Sequence, residues 1–421
     1  MFAMIKQIFN PKNKDLQKRI VFTLLALFVF KLGTTIIVPG INKDALTGSL
    51  GFLELLNTMG GGAMERFSIF ALGVMPYITA SIVIQLLQMD IIPFLSELGK
   101  QGQTGRNKVN KITRVCGIII AFIQGYMFSF AVIKDGNPLQ YMEISLILTA
   151  GTAFLLWLGD QITQKGIGNG LSLIIMTGII ATMPKMFVDA WNGLVETGST
   201  QGMALGVVTF ILFVLIYVAI ILGIIYEQSA ERRVPIQYAN KSMSSYGGKQ
   251  SYIPFKLNSA GVVPVIFASA LISIPGIISA AIKNEGFDLF VSKWLSMTST
   301  TGLILYVILI FGFCYFYTFI QLKPKEMADN LNKNGGYIPG IRPGEETVTY
   351  ISKVLRRITF VGALALSVIA ILPIIFGFFS KLPTSVTIGG TGLLIVVGVA
   401  LETYKQIESQ LVSRSYKRRK R

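Results

Sequence analysis

Ten stretches of this chain are apolar and long enough to cross a bilayer, near residues 20–38, 68–89, 112–133, 144–163, 171–188, 204–226, 260–282, 302–322, 358–380 and 386–404. A hydrocarbon layer about 30 Å thick needs roughly 20 apolar residues of helix. No water inside lipid satisfies a free N–H or C=O, so such segments either form α-helices or close into a barrel. The alternation of apolar and polar residues that marks barrel strands is missing from them. The expected fold is all-α, a polytopic bundle of ten transmembrane helices, and its work is done in or across a membrane.

Composition narrows the reading further. With 52% hydrophobic and 14% charged residues and a mean hydropathy of +0.61, the 421 residues are no ordinary soluble domain. A net charge of +17 suits a nucleic-acid binder until the cations are placed. If the N-terminus is cytoplasmic, 30 of the 38 Lys and Arg fall at cytoplasmic ends and loops. Seven lie outside (Lys43, Arg66, Lys134, Lys185, Lys283, Lys293 and Lys381), and Lys31 lies within a span. This is the positive-inside asymmetry, and ten crossings return the C-terminus to the starting side, so both termini are expected in the cytoplasm.

Lys14, Lys18 and Arg19 ahead of an apolar run imitate a signal peptide. The run is too long for a signal h-region and Pro39-Gly40 is no small-residue cleavage site, so it counts as the first span. The tail from Ser413 to Arg421, SRSYKRRKR, reads as a topology anchor drawn to anionic lipid. Cys116 and Cys314 both fall in predicted helices, which argues against a disulfide framework or a metal cluster. With no histidine, His-based acid–base chemistry and common metal sites are excluded. No catalytic residue, metal or cofactor is expected, and the chain is not read as an enzyme.

Five spans precede the polar stretch at 189–203 and five follow it. The chain therefore divides into halves at 1–190 and 191–421 with opposite orientations, an arrangement that invites an inverted repeat with a pathway between the halves. The largest cytoplasmic pieces, 227–258 and 324–357, combine turn formers with cations. One holds Arg232, Arg233, Gly247, Gly248 and Lys249, the other Gly335, Gly336, Pro339, Arg342, Pro343 and Gly344. Two basic hairpin-sized loops on one face suit docking of a large cytosolic partner, and equally suit solvated loops obeying the charge rule.

Interruptions mark the segments of interest. In GGGAMERFSIFALGVMPYITASIVIQLLQ, Gly60 to Gln88, three glycines give a flexible entry, and Gly73 and Pro76 break the apolar run. Non-helical backbone at membrane depth survives only where protein or a cavity surrounds it, so residues 60–72 are expected as a half-helix entering from outside without crossing. An interfacial helix lying flat on lipid is the alternative. Gly166, Gly168 and Gly170 lack the preceding strand and following Lys-Ser/Thr of a phosphate loop and predict a tight turn. The proline of NSAGVVPVIFASAL, which in water would mark an ordinary kink, points in the seventh span to a helix that must flex or pack around an opening. Lys31, a central charge costing about 2.5–3.5 kcal/mol on insertion scales, is expected to snorkel or face water.

The segments SIFALGVMPYITASIVIQLLQ, WLGDQITQKGIGNGLSLII, NSAGVVPVIFASAL, YIPGIRPGEET and IGGTGLLIVVGVALE together resemble the hallmark segments of the SecY family of bacterial protein-translocation channels. The similarity runs from near Lys18 to near Leu411. It implies a two-half clamshell in the bacterial inner membrane, with an hourglass pore and a lateral gate to lipid. Residues 60–72 become an outer plug that includes Gly60, Gly61, Gly62, Ala63, Met64, Glu65, Arg66 and Phe67. The pore ring falls on Val74, Ile78, Leu171, Ile175, Ile266 and Ile395. Each of the first two pairs is spaced i, i+4 and shares a helix face. An aliphatic ring offers an ion no replacement for its hydration shell and can dewet.

The resemblance implies as partners SecE and SecG subunits, the motor ATPase SecA, the ribosome with its RNA, unfolded preproteins with their signal peptides, and lipid. Arg232, Arg233 and Arg342 are the implied docking residues. Family members often carry Thr-His before the Leu-Pro of the first loop, where this chain has Tyr252-Ile253-Pro254-Phe255, and Asn240 stands between Ala239 and Lys241. A secondary transporter is the competing class. It needs a polar midplane site, whereas Asp160, Glu227 and Glu402 read as lying near cytoplasmic helix ends. An intramembrane protease lacks both histidine and a G-x-S-x-G elbow.

Overall fold

A computed structural model of the chain describes residues 13–39, 54–88, 91–133, 137–195, 200–238, 251–282, 284–297, 299–380 and 384–419. The glycines and lysine at 247–249, the Ala239–Lys241 departure, Gly40, Lys420, Arg421 and the outer Lys43, Lys134, Lys283 and Lys381 lie outside them.

In order, the elements are α1 Lys14–Gly33, α2 Glu54–Met59, α3 Met75–Leu87, α4 Pro93–Lys100, α5 Gly102–Val132, α6 Pro138–Lys165, α7 Gly170–Leu194 and α8 Thr200–Ser229. Strands β1 Glu231–Tyr238 and β2 Ser251–Lys256 precede α9 Val263–Ile282, α10 Glu285–Phe290, α11 Thr300–Leu322 and α12 Pro324–Lys333. Strand β3 Gly336–Tyr337 leads into α13 Glu345–Ser380 and α14 Thr384–Arg419. A helix houses each of the ten apolar stretches. Six described stretches, in α5, α6, α7, α8, α11 and α13, are long and apolar enough to span by themselves, while α3 and α9 are shorter apolar helices.

Several boundaries differ from expectation for local reasons. Helix α1 stops at Gly33, five residues short of the expected end, because the chain turns there and Ile37 forms an antiparallel bridge with Ser68. The second span starts at Met75 rather than 68, and residues 60–74 are turns rather than a half-helix. Gly61, Gly62, Phe67 and Gly73 all take positive φ, which no right-handed helix accommodates. The helical turn lies upstream, in α2. The predicted break itself stands: Pro76 sits at the start of α3, where its missing N–H costs nothing.

Pro264 likewise opens α9 instead of kinking it, and the internal proline of that helix is Pro275. The last helix continues to Arg419, which leaves Glu402 mid-helix and makes much of the basic tail helical. The glycine turn between α6 and α7 is present, with Gly168 at φ +84° and the Asn169 side chain capping α7. Cys116 and Cys314 are free thiols on α5 and α11.

Lipid tails are as apolar as leucine, so helices in a membrane associate through close packing and hydrogen bonds rather than through exclusion of water. Helix α5 packs on α3, α4 and α6, and α6 and α7 pack on each other and on α1. In the second half of the chain α9 packs on α11, α11 on α13, and α13 on α8 and α14. The two groups meet along two seams, α9 against α3 and α5, and α14 with α8 against α7. One apolar cluster, from Phe30 through Leu155 and Ile174 to Tyr306 and Leu394, runs across both.

The two basic pieces are not separate loops. Strand β1 pairs antiparallel with β2 and, through Gln237 and Tyr337, with β3 from the second piece, in the order β2-β1-β3. Buried Val234 and Ile236 alternate with exposed neighbours on β1, as a half-covered strand requires. They and Phe255 pack on Leu331 of α12 and on Ile351 and Leu355 of α13, which makes one platform at that end of the bundle.

Candidate functional site

The turn segment after α2 is buried in the bundle between the two helix groups. Ala63, Met64 and Phe67 are almost wholly buried, and Phe67 stacks on Phe128 of α5 with centroids 5.1 Å apart. Its backbone pairs with the chain beyond α1: Val38 N–H donates to Phe67 O at 3.0 Å and Ile69 N–H to Ile36 O at 3.0 Å. Gly178 of α7 makes room for it, because a Cβ there would collide with the Met59 carbonyl. Thr152 of α6 donates to the carbonyl of Gly73 at 3.1 Å, where the chain re-enters helix.

Polar contacts secure the same segment. Lys185 of α7 pairs with Glu65 at 2.6 Å, and the Asn57 side chain accepts the Glu65 N–H at 3.0 Å. The Lys185 hydrogen bond holds the Glu65 carboxyl below the usual carboxylate range against the opposing effect of burial. Lys31 donates to the Gly61 carbonyl at 3.3 Å, so the expected intramembrane cation neither simply snorkels nor stands free. Arg66 is exposed. Only the shared outer placement of Glu65 and Lys185 hinted at their pairing; nothing local links Lys31 to Gly61.

The six aliphatic residues singled out from the sequence fall in the same apolar cluster. Val74 stands immediately before α3 and Ile78 one turn on, joined by the 3.2 Å hydrogen bond from Ile78 N–H to Val74 O. Leu171 and Ile175 occupy the first two turns of α7, Ile266 the first turn of α9, and Ile395 lies in α14. All are buried except Leu171, which is half-buried against the same cluster. The apolar side chains of four helices, two from each group, thus belong to the cluster that also holds Ala63, Met64 and Phe67 of the turn segment. No charged residue belongs to the set.

At the seam of α9 with α3 and α5, a hydrogen bond crosses from the second helix group to the first. Tyr317 of α11 donates to Gln85 of α3 at 2.7 Å. An apolar pocket on this seam is lined by Met75, Phe128, Ala270 and Ile277, with Thr79, Gln124 and Ser273 as its polar groups. The sequence marked none of these residues, since a Gln and a Tyr on separate helices carry no pattern.

On the platform the three arginines differ. Arg233 donates to Glu231 at 2.8 Å and lies over the Tyr252 ring, 4.8 Å from its centroid. Arg232 and Arg342 have exposed guanidinium groups with no acidic partner among the described residues. The turn carrying Arg342 is itself fixed, because Thr347 donates to the Arg342 carbonyl at 2.9 Å.

The family profile of SecY matches residues 68–404. The protein translocase subunit SecY of Staphylococcus carnosus is 48% identical over 418 residues, covering 96% of this chain and 97% of that protein. The same subunit of Halalkalibacterium halodurans is 48% identical over 435 residues, with 99% of each chain covered. Among solved structures, a protein-conducting channel aligns with a TM-score of 0.68 at 19% identity over 94% of this chain and 93% of that one. A SecY structure whose plug domain is described as stabilising the closed channel and maintaining a membrane seal aligns at 0.69 and 20% identity, with the same coverage.

Proposed function

The chain belongs to the SecY family and is a membrane-embedded subunit of a protein translocase, and from that premise we propose how its parts conduct a polypeptide. The two helix groups, 1–190 and 191–421, are the halves of a clamshell. An unfolded preprotein threads between them past Val74, Ile78, Leu171, Ile175, Ile266 and Ile395, and the turn segment from Gly60 to Phe67 is the plug seated on the outer side. The observation that supports this reading is that six uncharged aliphatic side chains from both helix groups share one apolar cluster with a buried, non-helical segment. A collar of this kind closes on itself when empty and offers ions nothing in place of water. It also yields to any passing side chain, since it makes no directional bond.

The seam of α9 with α3 and α5 is the lateral exit through which apolar segments and signal peptides reach lipid. The platform faces the cytoplasm of a bacterial inner membrane, where both termini lie. Its Arg342, together with Arg232 and Arg233, receives a motor ATPase of the SecA kind or a translating ribosome, whose RNA backbone is a natural partner for free guanidinium groups. SecE and SecG subunits complete the assembly. The subunit itself is not an enzyme; the motor supplies the energy. A related Sec61 channel has been solved in a canine ribosome–channel complex.

The test is reconstitution: the chain with its partner subunits in liposomes, motor and ATP outside, and a signal-bearing preprotein. Protease-protected preprotein is expected, and a stalled preprotein carrying a photo-crosslinker should label Ile78 and Ile266. Translocation without labelling at either position would remove the assigned ring while leaving the channel in place.

A further inference from the structure

The connection from α9 to α11 lies at the end of the bundle away from the platform, since α9 starts just after β2 and α11 ends with Phe319 and Leu322 against the platform core. In it α10 runs straight into a π-helical turn, Val291–Leu295. The unit is fixed on both sides. Ser279 of α9 donates to the Asp288 carboxylate, and Thr301 of α11 donates to the Lys293 carbonyl at 3.2 Å. The Asn284 side chain accepts the Gly286 and Phe287 N–H groups and starts the helix.

Its faces are the reverse of those on a water-soluble helix. Asp288 and, three residues on, buried Val291 share the face that contacts the bundle. Leu289, Phe290 and Trp294 turn away from it, 69%, 51% and 49% exposed. The helices that it joins are apolar and open here as well: Ile282, the last residue of α9, and Ile304, near the start of α11, are both exposed. A protein partner is a poor match for so small a face. An aromatic side chain buries about 150–250 Å² when wholly covered, so three half-exposed side chains fall short of the ~800 Å² per partner of a stable interface. A bilayer sets no minimum area, and tryptophan favours the boundary between headgroups and acyl chains.

We propose that this connection is an interfacial foot, seating Leu289, Phe290 and Trp294 in the headgroup–acyl boundary of the bilayer at the end opposite the platform. Lys293, exposed beside them, reaches back to water along its apolar stem. Through the Ser279–Asp288 bond the foot holds the far end of α9, the seam helix, at that depth. The foot requires only an embedded chain, whatever path a polypeptide takes through it.

The experiment is fluorescence quenching of the full-length chain in phosphatidylcholine vesicles, with W157F and W191F leaving Trp294 as the sole tryptophan. Lipids brominated near the carbonyl end of the acyl chain should quench most of the Trp294 emission, and lipids brominated near the methyl end, or aqueous iodide, little of it. L289S with F290S should reverse that order, so that iodide quenches strongly and the shallow bromines weakly. Strong iodide quenching without the serine pair would place the foot in water, and protection from both quenchers would place it under a protein. Either result overturns the proposal, as does stronger quenching by the deep bromines than by the shallow ones, or a serine pair that changes nothing. As an independent check with all tryptophans present, a photo-crosslinker in place of Phe290 in native membranes should yield phospholipid adducts. An adduct to a polypeptide would assign the face to a partner chain and refute the foot.

Discussion

The packing of α7 against the turn segment proposed as the plug can be challenged at one atom. In Gly178→Ala a new Cβ would meet the Met59 carbonyl head-on and come within 3.0 Å of the Gly61 nitrogen, both backbone atoms of the plug's entry. Helix α7 packs on both α6 and α14, so the shorter segment must give way. Overpacking of this kind costs about 1–3 kcal/mol, which shifts the ratio of seated to displaced plug by roughly 5- to 150-fold. The same substitution raises the intrinsic helix propensity of α7 by about 1 kcal/mol, so the bundle itself should not weaken. The assay is ion conductance of the purified channel in planar bilayers beside its thermal midpoint in detergent. G178A should raise resting conductance with the midpoint unchanged or higher, and the larger G178V should leak more. A parental resting conductance in G178V would refute the idea that this contact seats the plug.

Arg342→Glu should cost about 1 kcal/mol or more of motor docking, a fall in ATP-driven export of about fivefold, with folding intact; unchanged export rates in inverted vesicles would remove the docking role. Ile78→Asn or Ile266→Asn places a polar amide in the collar and should raise resting ion leak while still passing preprotein, and equal conductance would count against the seal. The Glu65 carboxyl is held low in the folded state, so its contribution is present above the ordinary carboxylate pKa and lost as pH falls through the lowered one. Conductance should therefore stay flat from neutral to mildly acidic outer pH and rise only in stronger acid, and E65Q should abolish that rise; an E65Q channel with the parental acid response would assign it to another group. Tyr317→Phe removes the hydrogen bond to Gln85, worth about 0.5–1.5 kcal/mol, and should lower the hydrophobicity needed for a segment to enter lipid. No shift in that threshold would mean the bond does not hold the seam.

The spans were legible because crossing lipid imposes a length and an apolarity that no tertiary context alters. The turn segment was legible only as an interruption. Its departure from a half-helix depends on backbone partners at Ile36 and Val38 and on positive φ at Phe67, a residue that carries no local warning. The platform shows the same limit. ERRVPIQY alternates correctly for a strand, yet its pairing with Gly336–Tyr337 lies about 100 residues away, and Pro235 disguises it. The arginines Arg232 and Arg233 are indistinguishable in sequence; geometry alone gives one a carboxylate and a ring and leaves the other open. Proline position is ambiguous for the opposite reason: Pro264 sits where a helix starts, and the same residue type reads as a kink or a cap according to a boundary the sequence does not mark.

The distribution of these features along α3 bears on how gating works. One short helix is capped by Val74 and carries Ile78 of the proposed collar at its start and Gln85, which accepts the bond across the seam, near its end. It joins the plug through Gly73, whose carbonyl is tied to α6 by Thr152. A helix of 13 residues behaves as a rigid lever, so a segment that parts the seam and breaks the Gln85–Tyr317 contact must also move half the aliphatic pairs contributed by the first helix group. The plug, attached at the other end of the lever, is anchored separately by Lys31, Lys185 and the chain after α1. The seam and the α3 share of the proposed collar thus move together, and the proposed plug joins them through the positive-φ Gly73. On this arrangement lateral opening widens the throat at once, while the plug leaves only when its own polar anchors yield, which lets a channel sample its lateral exit without losing the outer seal.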